Sequence, residues 1–150
     1  MALNRSTGLR NKMLDTGSFR SVMTDCFINI YSGTRPASAD DAVPGSAVLL
    51  ATIKDGSDDL SGLDWETSAA SGSIKKLASQ VWREDAIIAT GVAGWFRIFE
   101  NGDTPGNASA TAARADGTVG TSGADMALSS VNFTQGATLT LSDSSKFTLP

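Results

Sequence analysis

Few residues of this chain are of the types that carry catalytic chemistry. The 150-residue sequence contains no histidine and one cysteine, Cys26. The absence of histidine excludes Ser-His-Asp and Cys-His nucleophiles and any metal site built on imidazole. A lone cysteine cannot form a disulfide within the chain, and no histidine is present to activate its thiol. We therefore expect Cys26 to be buried and unreactive, and we predict no catalytic residue, metal or cofactor in this protein.

A pair of carboxylates, Asp64 and Glu66, is the first candidate for acid–base chemistry. The two residues flank Trp65 and would point to the same side of a strand, because side chains alternate along it. A glycosidase needs two such groups at a set separation, in a cleft rich in aromatic side chains. No other part of the sequence predicts such a cleft, so a solvated strand face is the favoured interpretation.

An acidic run that begins at Asp55 follows part of the pattern of a calcium-binding loop. The first, third, fifth and twelfth positions of an EF-hand loop would be Asp55, Ser57, Asp59 and Glu66. Leu60 occupies the sixth position, where that loop requires glycine, and no helix is predicted on either side. An acidic hairpin turn is therefore the favoured interpretation, with incidental calcium binding as the alternative.

Three tryptophans, Trp65, Trp82 and Trp95, are the residues that could bind a sugar ring. Trp95 lies in an apolar run and is expected in the core. Trp82 precedes a charged run, residues 83–85, and we expect it to be partly exposed. A role in the core or in a subunit interface is favoured over a ligand platform. A carbohydrate-binding β-domain is thus the alternative from another functional class.

The charge distribution argues against nucleic-acid and membrane partners. The net charge is −4, whereas nucleic-acid binding normally requires a basic patch. The densest basic region is the amino end, which carries Arg5, Arg10, Lys12 and Arg20 against Asp15. This region is either a solvated helix face or an arm that docks on an acidic partner surface. No window is apolar enough for a membrane span or a signal peptide, so we expect a protein made in the cytoplasm.

The elements that must position these residues are predicted to be strands. Residues 26–32 and 47–53 are β-prone, and residues 86–99 predict a hairpin hinged on its central glycines. Residues 101–118 contain Asn-Gly, Pro-Gly and Asp-Gly pairs and are predicted to form a long loop, with at most one weak edge strand. About eight or nine short strands predict a mainly β fold, an antiparallel β-sandwich or barrel that is Ig-like or jelly-roll-like.

The amino end carries the helical signal. Ser6 or Thr7 could cap a helix over residues 9–14, and a second helical turn is predicted over 18–24. Such short helices need a surface on which to pack. That surface is either the sheet of the same chain or a neighbouring subunit.

We predict that the chain has two parts, an amino-terminal arm with a short helix over residues 1–25 and a single β-sandwich domain over residues 26–150. The arm would become ordered on binding, when its apolar side chains are buried against a neighbour. The residues expected to contact a partner are Leu9, Arg10, Met13, Leu14, Phe19, Arg20 and Trp82.

Four segments carry a distinctive series of small and polar residues. They are residues 6–11 (STGLRN), 30–40 (IYSGTRPASAD), 89–97 (ATGVAGWFR) and 116–125 (DGTVGTSGAD). In this order, through most of the chain, they resemble a family of small structural proteins encoded by tailed bacteriophages and prophages. The resemblance implies a virion component that is not an enzyme.

The resemblance does not specify the position within the particle; the role that we favour is that of a capsid decoration (cement) protein, which stabilises the shell through subunit contacts. The alternatives are a head-to-tail collar or neck protein and a minor tail protein. The resemblance also implies a homo-oligomer that contacts other virion proteins, namely the major capsid, collar or tail proteins. Its expected location is the virion, assembled in the host cytoplasm.

Overall fold

The β-prone runs of the sequence form a large, mainly antiparallel sheet. The computed structural model describes residues 3–56, 61–142 and 146–148. The mainly β class and the short amino-terminal helix are confirmed in these residues. The elements are β1 (Asn4–Arg5), α1 (Thr7–Asp15), α2 (Phe19–Val22), β2 (Phe27–Ser32), β3 (Leu49–Asp55), β4 (Ser73–Lys75), β5 (Trp82–Glu84), β6 (Gly91–Phe99), β7 (Arg114–Gly120), β8 (Met126–Ala127), β9 (Asn132–Phe133), β10 (Leu139–Thr140) and β11 (Lys146–Thr148).

The main sheet contains nine of the described strands. Its path is β1-β7-β6-β2-β3-β5-β10, and β8 and β9 pair with β7 and β6. Neighbouring strands are antiparallel, except for β7 and β8, which are parallel. A second sheet is formed by β4 and β11. This architecture is compatible with a sandwich or barrel, and the finer Ig-like or jelly-roll-like assignment stays a prediction.

One face of the central strands is apolar. Ile28 and Ile30 of β2 are paired with Ile98 and Phe96 of β6, and paired residues lie on the same face of a sheet. All four side chains are completely buried. At about 25 cal/mol for each Å² of apolar surface removed from water, this face supplies much of the free energy that favours the folded state.

An aromatic cluster covers the apolar face. The ring of Phe147 lies 5.5 Å from that of Phe96 and 5.5 Å from that of Trp65, both in edge-on geometry. Trp65 also contacts Phe19 of α2 and Trp82 of β5, with ring centroids 5.2 and 5.0 Å apart. The cluster thus joins the second sheet, α2 and β5 to the centre of the main sheet.

Helix α1 begins at the predicted cap. The Ser6 hydroxyl accepts a hydrogen bond from the backbone N–H of Leu9 at 3.0 Å, which satisfies one free donor of the first turn. The same hydroxyl donates to the carbonyl of Ala112 and accepts from the N–H of Arg114. Ser6 is completely buried, so it both starts the helix and fixes the helix to the main sheet.

The amino-terminal segment is packed onto the sheet of its own chain and does not project from it as an arm. β1 pairs with β7, where Asn4 lies opposite Asp116. A Cβ on Gly8 would lie 2.3 Å from the carbonyl oxygen of Thr111, so the helix and the chain before β7 are in close contact. The prediction that this segment orders only on binding is therefore corrected for residues 3–25.

The hairpin predicted over residues 86–99 is wrong. β6 begins at Gly91, so the predicted hinge is part of the strand, and residues 86–90 precede it without strand structure. The register between β2 and β6 shifts between Tyr31 and Ser32, which leaves Gly94 without an opposite residue. A Cβ there would lie 2.2 Å from the carbonyl oxygen of Gly33. The glycine serves a bulge rather than a turn.

The loop predicted over residues 101–118 ends early, because residues 114–120 form β7. This strand lies inside the sheet, between β1 and β6, and is not a weak edge strand. Close packing explains why residue 117 of this strand is a glycine: a Cβ on Gly117 would lie 2.4 Å from the ring of Phe96 and 2.9 Å from the side chain of Leu3. The small residues of β7 therefore leave room for the aromatic core.

Candidate functional site

The second face of the central strands carries polar side chains that are buried. The face is set by alternation: Asn29 and Tyr31 of β2 lie opposite Arg97 and Trp95 of β6, and Arg97 lies opposite Asp116 of β7. We call these five residues the polar layer. Each of them is buried, although each carries a charged or hydrogen-bonding group in its side chain that water would otherwise solvate.

An ion pair lies at the centre of the polar layer. The Nε and Nη2 atoms of Arg97 donate to the two carboxylate oxygens of Asp116 at 2.7 and 2.8 Å, and both side chains are completely buried. This is the bidentate geometry that arginine and carboxylate favour. Nη1 of Arg97 donates to the backbone carbonyls of Asp41 and Pro105. Arg97 thereby holds two separate loops against the sheet.

These two loops, residues 33–48 and 100–113, cover the polar layer, and we call them the cover loops. They also bond to each other, since the N–H of Val43 donates to the carbonyl of Gly106 and that of Ser109 to the carbonyl of Asp40. The Asp40 carboxylate accepts from both the N–H and the hydroxyl of Thr7 in α1. The helix, the loops and the sheet are therefore one hydrogen-bonded unit.

A second buried ion pair lies within loop 100–113. Arg114, at the start of β7, donates through Nε and Nη2 to the carboxylate of Asp103 at 2.6 and 2.7 Å. Its guanidinium also donates to the carbonyls of Asn107 and Thr104. The exposed fractions of the two paired side chains are 1% and 6%. This pair folds the loop back onto the strand that follows it.

The rest of the polar layer forms a chain of hydrogen bonds and a ring stack. The amide of Asn29 donates to the Tyr31 hydroxyl and its carbonyl oxygen accepts from the Thr52 hydroxyl. The rings of Tyr31 and Trp95 are stacked, with centroids 4.5 Å apart. The indole N–H of Trp95 has no hydrogen-bond partner among the described residues.

Burial shifts the proton affinities in this layer. Loss of water raises the pKa of the Asp116 carboxyl, and the hydrogen bonds and charge of Arg97 oppose that rise. Loss of water also raises the pKa of the Tyr31 phenol, against the hydrogen bond from Asn29. The shifts follow from solvent exclusion. The two charged groups of the layer, Arg97 and Asp116, are bonded to each other, and Arg97 is also bonded to the cover loops, so the arrangement holds these loops in place.

The carboxylates proposed from the sequence are likewise engaged in structural bonds. Asp64 accepts from the Thr24 hydroxyl and the N–H of Asp25, and Glu66 accepts from the N–H of Ala78. The Asp55 carboxylate accepts a hydrogen bond from the backbone N–H of Val81, the residue before β5. The other predicted calcium ligands, residues 57 and 59, lie outside the described residues. Among the residues that are described, no group of three or more acidic, cysteine or histidine side chains could hold a metal ion.

The tryptophans do not form a surface for sugar binding. Trp82 is completely buried, contrary to the expectation of partial exposure, because β5 turns Trp82 inward and Arg83 outward. Trp65 and Trp95 are buried as well. The Trp82 indole donates to the side-chain carbonyl of Gln80. An aromatic platform built on these residues is therefore wrong for this chain.

Cys26 is buried, as expected. Its thiol lies against the backbone carbonyl of Leu63, and desolvation raises its pKa far above the ordinary value of 9.0. A thiol with so high a pKa is a poor nucleophile at neutral pH.

The residues predicted to contact a partner fall into two sets. Leu9, Phe19 and Trp82 are buried inside the chain, so they are unavailable to a partner and their assignment is corrected. The second set consists of three exposed residues, Arg10, Leu14 and Arg20, and of Met13, which is half-buried. The sequence analysis predicted neither the polar layer nor the Arg114–Asp103 pair, although the alternation of Arg114 and Asp116 with small residues was a signal for both.

Comparison with known proteins adds no identification. No protein-family model matches the chain, and neither a curated protein nor a solved structure matches it. Neither helix in the described part of the chain has the length and hydropathy needed to cross a lipid bilayer.

Proposed function

We propose that this protein is a structural subunit of a bacteriophage virion, a decoration protein that stabilises the capsid through subunit contacts. In this proposal it acts as a homo-oligomer bound to other virion proteins and turns over no substrate. The resemblance of four sequence segments to virion structural proteins supports the proposal.

The observation that carries the proposal is the way the cover loops are held. Arg97, which forms a buried bidentate ion pair with Asp116, donates to a carbonyl of each loop, and the buried Arg114–Asp103 pair ties loop 100–113 to β7. Loops usually carry function because they are exposed and adaptable, but here buried charge makes them rigid. A subunit that must present the same surface at many equivalent positions benefits from such rigidity, because ordering costs on binding are then small.

The buried ion pairs support the part of the proposal that gives this protein no enzymatic activity. A catalytic acid or base needs a reachable proton and space for a substrate. Asp116 and Asp103 each face an arginine within the protein, and Arg97 is completely covered. These four charged groups of the described residues therefore bond to one another and stabilise the fold.

Localisation in purified particles tests the proposal. Antibody raised against the recombinant chain should label particles from a strain that carries its gene, and gold particles should lie over the capsid. Labelling at the neck or the tail tip would replace the decoration role by the collar or minor tail role. Particles that contain none of the chain by mass spectrometry would contradict a virion function altogether.

A further inference from the structure

The end of the molecule formed by α1, α2 and the 66–74 segment carries an apolar groove. A cavity of about 400 Å³ lies between Met13, Phe19 and Ile74, with Arg20 and Glu66 at its rim. A shallower depression of about 300 Å³ adjoins it, lined by Arg5, Arg10, Met13 and Leu14. Met13 lines both, so the two form one continuous surface, which we call the α1 groove.

The α1 groove contains a leucine, Leu14, that is almost fully exposed to solvent. Its exposed fraction is 85%, the highest of the large apolar side chains in the described residues. It follows Met13 on a helix whose other apolar residue, Leu9, is completely buried. An exposed leucine beside an apolar groove is the arrangement found where another surface is bound.

The charge around the groove identifies the chemistry of its partner. The side chains of Arg5 and Arg20 form no hydrogen bond or ion pair with any residue that the structure describes, and Arg10 bonds only to the hydroxyl of Thr7. By contrast, Lys12 on the same helix is paired with Glu100. Arg5, Arg10 and Arg20 thus line the groove without an ion-pair partner among the described residues, in a chain whose net charge is −4; Glu66 is the acidic residue of the lining.

We propose that the α1 groove is the docking surface for an acidic segment of another protein that inserts an apolar side chain between Met13, Phe19 and Leu14. Arginine binds carboxylates with two parallel hydrogen bonds, and the groove offers an apolar contact beside them. A protein segment fits better than a nucleic acid, because phosphate groups would leave the groove and Leu14 uncovered. The proposal rests on the proposed function, since the partner is then a neighbouring virion protein.

A synthetic peptide tests the surface without the particle. The probe is a short peptide of glutamates with two leucines, and the control peptides replace either its glutamates by lysines or its leucines by serines. Amide NMR shifts should change around residues 5–20 and 66–74 with the probe and much less with either control. Shift changes located elsewhere, no binding, or equal binding of a DNA duplex at the same surface would overturn the proposal.

Variants of groove residues test whether the same surface binds the peptide and the virus particle. Leu14→Ser and the double variant Arg10→Glu/Arg20→Glu should each bind the peptide, and particles that lack this chain, at least about tenfold more weakly than the unmodified protein. The control for Leu14→Ser is Val92→Ser, at another exposed apolar residue, and the control for added carboxylates is Thr134→Glu/Gln135→Glu, which places two acids in an exposed turn. Both controls should bind as the unmodified protein does.

The outcomes separate the two proposals. If the unmodified protein binds particles and the groove variants bind equally well, the docking surface is wrong and the virion function stands. If the peptide maps to the groove but the unmodified protein does not bind particles, the virion function is wrong and the groove remains a docking surface. All variants alter exposed side chains, so unchanged melting temperatures are the check on folding.

Discussion

The two faces of the main sheet bury strand residues of opposite chemistry. On the apolar face, Ile28, Ile30 and Phe96 pack without polar groups. On the polar face, Arg97 and Asp116 are equally inaccessible but are bonded to each other and to the cover loops. Apolar burial is non-directional, whereas hydrogen bonds fix position. The comparison indicates that the apolar face supplies stability and the polar face determines where the loops lie.

Removal of one charge from the polar face should have the largest effect. Asp116→Ala leaves the Arg97 guanidinium buried without its counter-ion, which typically costs about 3–5 kcal/mol. We expect a loss of that size in the free energy of unfolding, measured by urea denaturation. A loss below about 1 kcal/mol would show that water reaches Arg97 and that the pair is not part of a sealed layer.

The matched control removes both charges. Arg97→Met/Asp116→Leu should recover most of the lost stability, because a buried ion pair is often no better than apolar residues of similar size. The cover loops should nevertheless exchange amide hydrogens faster in this variant, since Asp41 and Pro105 lose their contact with Arg97. Unchanged exchange in residues 33–48 and 100–113 would contradict a positioning role for the polar face.

Added volume on the apolar face should have the next largest effect. Gly117→Ala places a Cβ 2.4 Å from the buried ring of Phe96, and such overpacking typically costs about 1–3 kcal/mol. Gly106→Ala, in a cover loop, is the control, because no atom lies within 4 Å of the position that its Cβ would take. Thermal unfolding should show a lower melting temperature for the first variant only.

The burial of Cys26 should make the free energy of unfolding fall at high pH. Burial raises the thiol pKa above 9.0 in the folded state, so below about pH 8 the thiol is protonated in both states and adds no pH dependence. As the pH rises through 9.0, only the unfolded thiol ionises, and the free energy of unfolding falls by roughly 1 kcal/mol by about pH 10. Urea titrations of the unmodified protein and of Cys26→Ala should diverge over this interval. Parallel curves would mean that the folded thiol ionises normally.

The smallest effect is expected at the half-exposed ion pair of Lys12 and Glu100. Its Lys12 Nζ lies 2.7 Å from a Glu100 oxygen, but the side chains are 40% and 24% exposed. Lys12→Met should therefore cost at most about 1 kcal/mol, since solvent screens such pairs. A loss as large as that of Asp116→Ala, in the same urea assay, would remove the distinction between buried and surface charge.

Local sequence patterns predicted the elements that depend only on a short run of neighbouring residues. The cap at Ser6 and the β-prone run of β2 were predictable, because capping and alternation are properties of short segments. β7 was not, because its Asp116-Gly117 pair is typical of a turn. Gly117 fits a strand only because Phe96, far away in the sequence, lies against it.

The burial of Trp82 and the Arg97–Asp116 pair were not predicted, because both also depend on contacts between segments that are distant in the sequence. Trp82 is next to charged residues in the sequence, but alternation in β5 turns it inward. The Arg97–Asp116 pair joins two strands, and its third partner, the carbonyl of Asp41, lies in a loop. Such a layer exists only after the strands have paired, so a pattern within one segment cannot specify it.

The pairing of β1 with β7 has a consequence for how the chain is made. Asn4 lies opposite Asp116, so β1 has no partner until β7 has been synthesised and has left the ribosome. Contacts between such distant positions slow folding, because a long loop must close before they form. We expect β1 to stay unpaired while the intervening residues are synthesised and to join the sheet only after β7 has emerged.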